Sequence, residues 1–279
     1  MDETTGFWAT LLIASDWAIR LVMLPVVPTR RSPEAAKGWL LFIFFLPWVG
    51  LLLYLMIGRP RLPRWRVERR GQYIDLIEPV RLKMEALPAL EAPAVGAQYQ
   101  PSVRLATDLG MLHNLGGNAV ELLTDYNATI DRIAADIDAA KHHAHLCFYI
   151  FGDDARSALV IEALARAVAR GVACRVLVDA FGSRPSLRTL VPKLHALGVA
   201  TRVALPVRIG RKTARFDLRN HRKIVVIDGL IGYTGSQNMV RADFKRDITY
   251  SELMVRIEGP SALQLQAVFG ADWFVESGE

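Results

Sequence analysis

Charge is absent from residues 39–57, WLLFIFFLPWVGLLLYLMI, and nearly absent from residues 7–27, where Asp16 and Arg20 interrupt an otherwise apolar run. Nineteen residues at ~1.5 Å rise approach the ~30 Å of a hydrocarbon core. Trp39 and Tyr54 sit near the two ends, where interfacial aromatics belong. Asp16 and Arg20 are four apart, so on a helix they share a face and can pair. The pattern predicts a two-helix transmembrane hairpin over residues 1–58, with spans of about 7–27 and 39–57. Residues 59–100 show no repeat and read as a basic juxtamembrane linker with one helix near 72–86. From residue 118 the pattern turns regular. AVELL reads as a strand and 126–141 as an amphipathic helix behind an Asp125 cap, followed by the apolar strand AHLCFYIF. A helix over 153–171, the strand VACRVLVDAF, a helix over 186–197 and the strand VATRVAL come next. Strands alternating with helices and lacking polar alternation predict an α/β domain over 101–279. Its expected core is a mainly parallel sheet covered by helices on both faces.

Composition narrows this reading. The chain has 279 residues, 52% hydrophobic and 22% charged, too apolar for disorder and too charged for full membrane embedding. Cys147 and Cys174 both sit in apolar runs and read as buried, reduced thiols. The net charge of +6 is uneven: residues 1–58 are neutral, 59–83 carry +5 and 84–279 carry +1. A basic collar directly after an apolar run fits anionic headgroups, whereas a nucleic-acid binder would spread its charge over the folded body. Nucleic acid is therefore an unfavoured partner and the lipid bilayer a favoured one. The collar outweighs the connector that holds Arg30, Arg31 and Lys37, so the hairpin should keep residues 59–279 in the cytoplasm. The acidic flank at Asp2 and Glu3 does not suit a signal peptide.

The chemistry concentrates in NHRKIVVIDG, residues 220–229. His221 and Lys223 lie two apart at the start of a predicted strand and so point to one face, ~7 Å from each other. Asp228 closes that strand, and the next, LIGYTGS, ends in Gly235, Ser236, Gln237 and Asn238. Imidazole can act as a nucleophile, and lysine and asparagine can hold phosphate oxygens without a metal. His143 and His145 share a strand face, but no third metal ligand accompanies them. The basic run from Arg202 to Lys223 suits the approach of an anionic headgroup.

His221, Lys223 and Asp228 spell H-x-K-x4-D, followed by Gly235-Ser236 and Asn238, and in this the chain resembles the phospholipase D superfamily. RSPEAAKGWLLFIFFLPWVGLLLYLMIGRP, VELLTDYNATIDRIAADIDAAKHHAHLCFYIF and RIEGPSALQLQAVFGADWF are similar to the bacterial cardiolipin synthases within it. The resemblance implies a phospholipase D-type fold and transfer of a phosphatidyl group from one phosphatidylglycerol to another through a phosphohistidine, without a cofactor. His221 would be the nucleophile or the general acid, with Lys223 and Asn238 on the phosphoryl oxygens. Ser236 would lie in the phosphate pocket, Asp228 would support the motif, and Glu252 would orient a histidine. The family carries two such motifs and this sequence one, so a homodimer or a second motif-bearing half is expected as partner. Two other readings stay open: a membrane-anchored single-motif phosphodiesterase, either phospholipase or nuclease, and an inactive half serving as a membrane subunit. The bacterial inner membrane is the expected location.

Overall fold

The computed structural model describes residues 3–58, 63–85, 93–110, 114–206 and 219–279. They form two compact units, Met1–Leu62 and Pro63–Glu279.

In the first unit, helix α1 (Glu3–Val26) contains a stretch, Gly6–Val26, long and apolar enough to cross a membrane. It packs against α2 (Pro33–Phe45) and α3 (Pro47–Leu53) around Ile19, Met23, Val27, Ala36, Ile43 and Tyr54. The outer surface is apolar: Leu12, Phe45, Leu52 and Met56 are 59–71% exposed. A coat of that kind suits membrane association. The second expected span, 39–57, is not one straight helix. Pro47 lacks an N–H and pushes the preceding residue out of the helical region, and Leu46 takes φ −131° and ψ 74°. The chain turns back there, bringing the Trp39 and Tyr54 rings to 5.4 Å. A straight helix would hold them ~22 Å apart. Gly50 makes the return possible, since a Cβ there would lie 2.7 Å from the Cα of Ile43.

The second unit is a seven-stranded sheet with helices on both faces. Its strands are β1 (Ala119–Leu123), β2 (His143–Phe148), β3 (Ala173–Asp179), β4 (Ala200–Ala204), β5 (Ile224–Ile227), β6 (Ile231–Gly235) and β7 (Met254–Glu258), in the order β1-β7-β6-β5-β2-β3-β4. Only β2–β3 and β3–β4 pair in parallel; the other four pairings are antiparallel. The sheet is therefore mixed rather than mainly parallel. The reason is local: Ile227 pairs with Ile231 across the three residues Asp228, Gly229 and Leu230, the first two with φ of 53° and 68°, and so short a turn can only join antiparallel strands.

Pleating sorts the core. Ala144, Leu146, Phe148, Val225 and Ile227 face α6 (Tyr126–Ala139), α7 (Ala155–Ala169) and α8 (Leu187–Ala196). Cys147, Ile224 and Val226 face α9 (Ser261–Ser277) through Phe269 and Trp273. Each fully buried side chain of this size contributes about 1.5–3 kcal/mol. Asp125 caps α6 by accepting the Ala128 N–H at 2.8 Å. Both cysteines are buried and free.

The expected linker holds α4 (Arg64–Glu85), which packs on α9 within this unit; α5 (Gln100–Gly110) follows it. Arg66 is not a headgroup contact. It makes a bidentate pair with Glu276 at 2.6 and 2.8 Å, with both side chains buried. Tyr73 donates to the Ala267 carbonyl at 3.0 Å over Gly270, where a Cβ would strike its hydroxyl. Arg59 and Arg61 lie outside the described residues.

Candidate active site

Antiparallel pairing brings four strand ends to one end of the sheet: the C-terminal ends of β2 and β6 and the N-terminal ends of β5 and β7. Together they border a cavity of about 450 Å³ lined by Tyr149, His221, Lys223, Gly235, Ser236, Asn238 and Glu252, with Phe244, Lys245 and Tyr250 on the following loop. His221, Lys223, Ser236, Asn238 and Glu252 are thus gathered in one place.

Lys223 is buried, and its Nζ lies 2.9 Å from His221 Nδ1 and donates to the His221 carbonyl at 2.8 Å. An ammonium can only donate, so in this geometry Nδ1 accepts and the ring proton sits on Nε2. Burial holds the Lys223 ammonium below the ordinary lysine range, while Glu252 works against that shift. Burial and then Lys223 push His221 below the usual histidine value, opposed by Asp179 and Glu252. The imidazole is therefore neutral at pH 7.

Asn238 Oδ1 accepts the Ile150 N–H at 3.0 Å, which fixes the amide and leaves its NH2 donors for a ligand. The Ser236 hydroxyl accepts from Leu253 N at 3.1 Å and donates to Leu253 O at 3.3 Å, so it joins β6 to the segment before β7 as well as lining the cavity. Gly235 allows that closeness: a Cβ would lie 2.2 Å from the Leu253 carbonyl oxygen.

Asp228 lies at the other end of β5 and does not line the cavity. Its carboxylate accepts the backbone N–H groups of Lys141, His142 and His143, each at 2.8 Å. Partial burial raises its pKa, but these three donors and His143 together hold it below the usual carboxylate range. Asp228→Ala is expected to cost about 2–4 kcal/mol by leaving three donors unmade, read as a lower unfolding midpoint. The wild-type contribution is present above pH 3.8, the unfolded value, and is lost as pH falls through the lower folded one.

Two acids clamp the chain around His221. Asp179, 1% exposed, receives Arg219 at 2.9 Å and the Asn220 N–H at 3.3 Å. Asp272 of α9 receives Asn220 Nδ2 at 2.8 Å and Arg222 at 2.7 Å. Neither acid is visible from motif spacing, because each lies at least 40 residues from its partners. The aromatic and basic wall was also missed. Phe244 and Tyr250 stack at 4.9 Å, and Lys245 Nζ stands 5.8 and 5.6 Å from the two ring centroids. The interleaved aromatics and cations of ADFKRDITY were the available signal.

His143 and His145 stack at 4.5 Å, and His145 meets Gln266 and Arg175 Nη1, the latter at 3.0 Å. Burial drives His145 down to about 3. Among the described residues no group of His, Cys, Asp and Glu could hold a metal. Residues 207–218 of the basic run lie outside the described residues.

A histidine and lysine at the start of one strand, a Gly-Ser-x-Asn turn ending the next and a glutamate before a third meet at one cavity, in a domain of phospholipase D type. The family described as "Cardiolipin synthase, PLD-like domain" matches residues 133–273, half of the chain, and "Phospholipase_D-nuclease N-terminal" matches residues 17–59. The chain belongs to the cardiolipin synthase, PLD-like domain family. Cardiolipin synthase A of Yersinia pseudotuberculosis is 34% identical over 280 residues, covering 98% of this chain and 56% of its own. That of Proteus mirabilis is 34% identical over 281 residues, covering 99% and 57%. The chain spans about half the length of the curated relatives it matches. The crystal structure of Nuc, a phospholipase D family member from Salmonella typhimurium, covers 57% of this chain and 97% of its own, with 20% identity and a TM-score of 0.45.

Proposed function

We propose that this chain supplies one half of a phosphatidyltransferase centre that converts two phosphatidylglycerols into cardiolipin and glycerol. The observation that carries the reading is the single cavity shared by His221, Lys223, Asn238, Glu252 and Lys245. His221 Nε2 attacks the phosphorus of one phosphatidylglycerol, and the bond to its headgroup glycerol breaks. Glycerol leaves with a proton from a second histidine. The terminal hydroxyl of the second lipid then attacks the phosphohistidine, returns its proton to that histidine, and the N–P bond breaks. Lys223 and the Asn238 amide hold the non-bridging oxygens throughout. When the phosphate draws Lys223 away from Nδ1, the ring proton moves from Nε2 to Nδ1, and Nε2 becomes nucleophilic. The second histidine comes from a second copy of this chain across a two-fold axis or from a separate motif-bearing half. The centre works on the cytoplasmic face of the bacterial inner membrane.

The test is purified full chain in phosphatidylglycerol vesicles, with products read by mass spectrometry. Cardiolipin and glycerol are expected. Phosphatidic acid alone overturns transfer in favour of hydrolysis, and no product overturns assembly of the centre from this chain.

Two further results are expected from the same assay. His221 must be neutral to attack and its pKa lies below 6.5, so the acid limb of the pH–rate profile lies below that value. Glu252 raises the His221 pKa, so Glu252→Gln shifts the acid limb to lower pH, besides slowing the reaction. Lys245 gives the cavity a second cation, suited to the phosphate of an incoming lipid alcohol. Lys245→Ala should raise the ratio of phosphatidic acid to cardiolipin, because water carries no charge for that lysine to read; an unchanged ratio removes Lys245 from acceptor choice.

A further inference from the structure

The first unit carries a consequence for how the chain meets the bilayer. Residues 33–58 start and finish at the same level: Arg31 Nη2 donates to the Ile57 carbonyl at 3.4 Å, and Trp39 touches Tyr54 at 5.4 Å. The turn at Leu46–Pro47 lies beside α1. There Arg20 Nε donates to the Phe44 carbonyl at 3.0 Å and its guanidinium lies 5.3 Å from the Phe44 ring. Lipid leaves no backbone carbonyl without a partner, and a break in a helix frees carbonyls of this kind. Arg20 in an otherwise apolar helix is thereby explained: it satisfies the broken end of α2, and its neighbour Asp16 lies 4.0 Å from it.

We infer that α2 and α3 form a re-entrant hairpin that enters one leaflet and leaves on the side it entered, so that α1 is the membrane's single crossing in this unit. Its occupant is lipid, because Phe45, Leu46, Leu52 and Met56 turn 51–71% of their surface outward. Charge agrees. Two crossings would place Arg30, Arg31 and Lys37 on the face opposite the collar. One crossing puts that connector and the collar on a single face, with the acidic Asp2 and Glu3 on the other, as the positive-inside bias demands. The inference reassigns the sidedness of the N-terminus and is independent of which reaction the cavity performs.

Cysteine accessibility in cells expressing the full chain tests it. Native Cys147 and Cys174 are 2% and 4% exposed, which makes the unsubstituted chain a suitable blank. Thr4→Cys, Ser32→Cys and Ser102→Cys are each treated with a membrane-impermeant maleimide before and after lysis. Ser32 makes no side-chain cap bond and Ser102 is exposed, so neither substitution removes a contact. The expected pattern is labelling of Thr4→Cys in intact cells and loss of labelling at the other two positions until lysis. A two-crossing hairpin gives labelling of Ser32→Cys alone in intact cells. That result, or any other pattern in which positions 32 and 102 differ or positions 4 and 32 agree, overturns the inference.

Discussion

His221→Ala is expected to lower phosphatidyl transfer by roughly 10⁴-fold or more, while the unfolding midpoint of the protein stays where it was. The loss is large because the imidazole does two things no neighbour can take over. In the proposed mechanism it forms the covalent bond to phosphorus, and before the phosphate binds its Nδ1 accepts from Lys223 at 2.9 Å. Stability is spared because the side chain stands at the cavity mouth, with its ring 4.3 Å from that of Tyr149 and outside both layers of the sheet core. Rapid quench of the wild type with phosphatidylglycerol labelled at phosphorus should trap an acid-labile, base-stable phosphoprotein, and the variant should trap none. A variant that still turns over, or a label that survives the substitution, removes His221 as nucleophile.

Asp179→Ala is expected to cost about 3–5 kcal/mol, the usual consequence of leaving one partner of a buried ion pair behind, and to lower the unfolding midpoint by roughly 10 °C. Asp179 also accepts the N–H groups of Phe181 and Gly182 at 2.8 and 3.0 Å, so the turn after β3 loosens with it. Arg219, with 9% of its side chain exposed, is left as an uncompensated charge two residues before His221. The paired change Asp179→Leu with Arg219→Met removes both charges and should recover the part of the stability lost to the stranded guanidinium, but neither the part owed to the Phe181 and Gly182 N–H groups nor the activity, since Asn220 loses an anchor. Equal destabilisation by the single and the paired changes would show that the ion pair is not what Asp179 supplies.

Much of the second unit was legible in the order of residues. The helix behind Asp125, the apolar strand through Cys147 and the strand opening with His221 and Lys223 all rest on short-range periods of apolar and polar positions, which survive folding unchanged. The antiparallel half of the sheet was legible as well, in the three-residue Asp228–Leu230 turn, but it was outvoted by the buried, unalternating look of the strands. Both faces of the sheet are covered, so parallel and antiparallel strands look alike there. The second apolar run misled for a different reason. Hydropathy counts residues and carries no direction, so a run long enough to cross and a run that doubles back at Pro47 score the same. The clamps on Arg219, Asn220 and Arg222 and the seat of Arg66 on Glu276 could not be read, because they join residues 40 to 210 positions apart.

The three N–H bonds to Asp228 have a consequence at the opposite end of β5. Strand pairing fixes spacing only in steps, and a slip of two residues would keep every β5 side chain on its own face of the sheet. Such a slip would preserve the core, yet carry His221 and Lys223 ~7 Å along the strand, away from Asn238. The carboxylate of Asp228, fastened to Lys141, His142 and His143 at the start of β2, forbids that slip. It serves as the stop against which the strand is measured, and the cavity keeps its alignment because of an acid that does not line it.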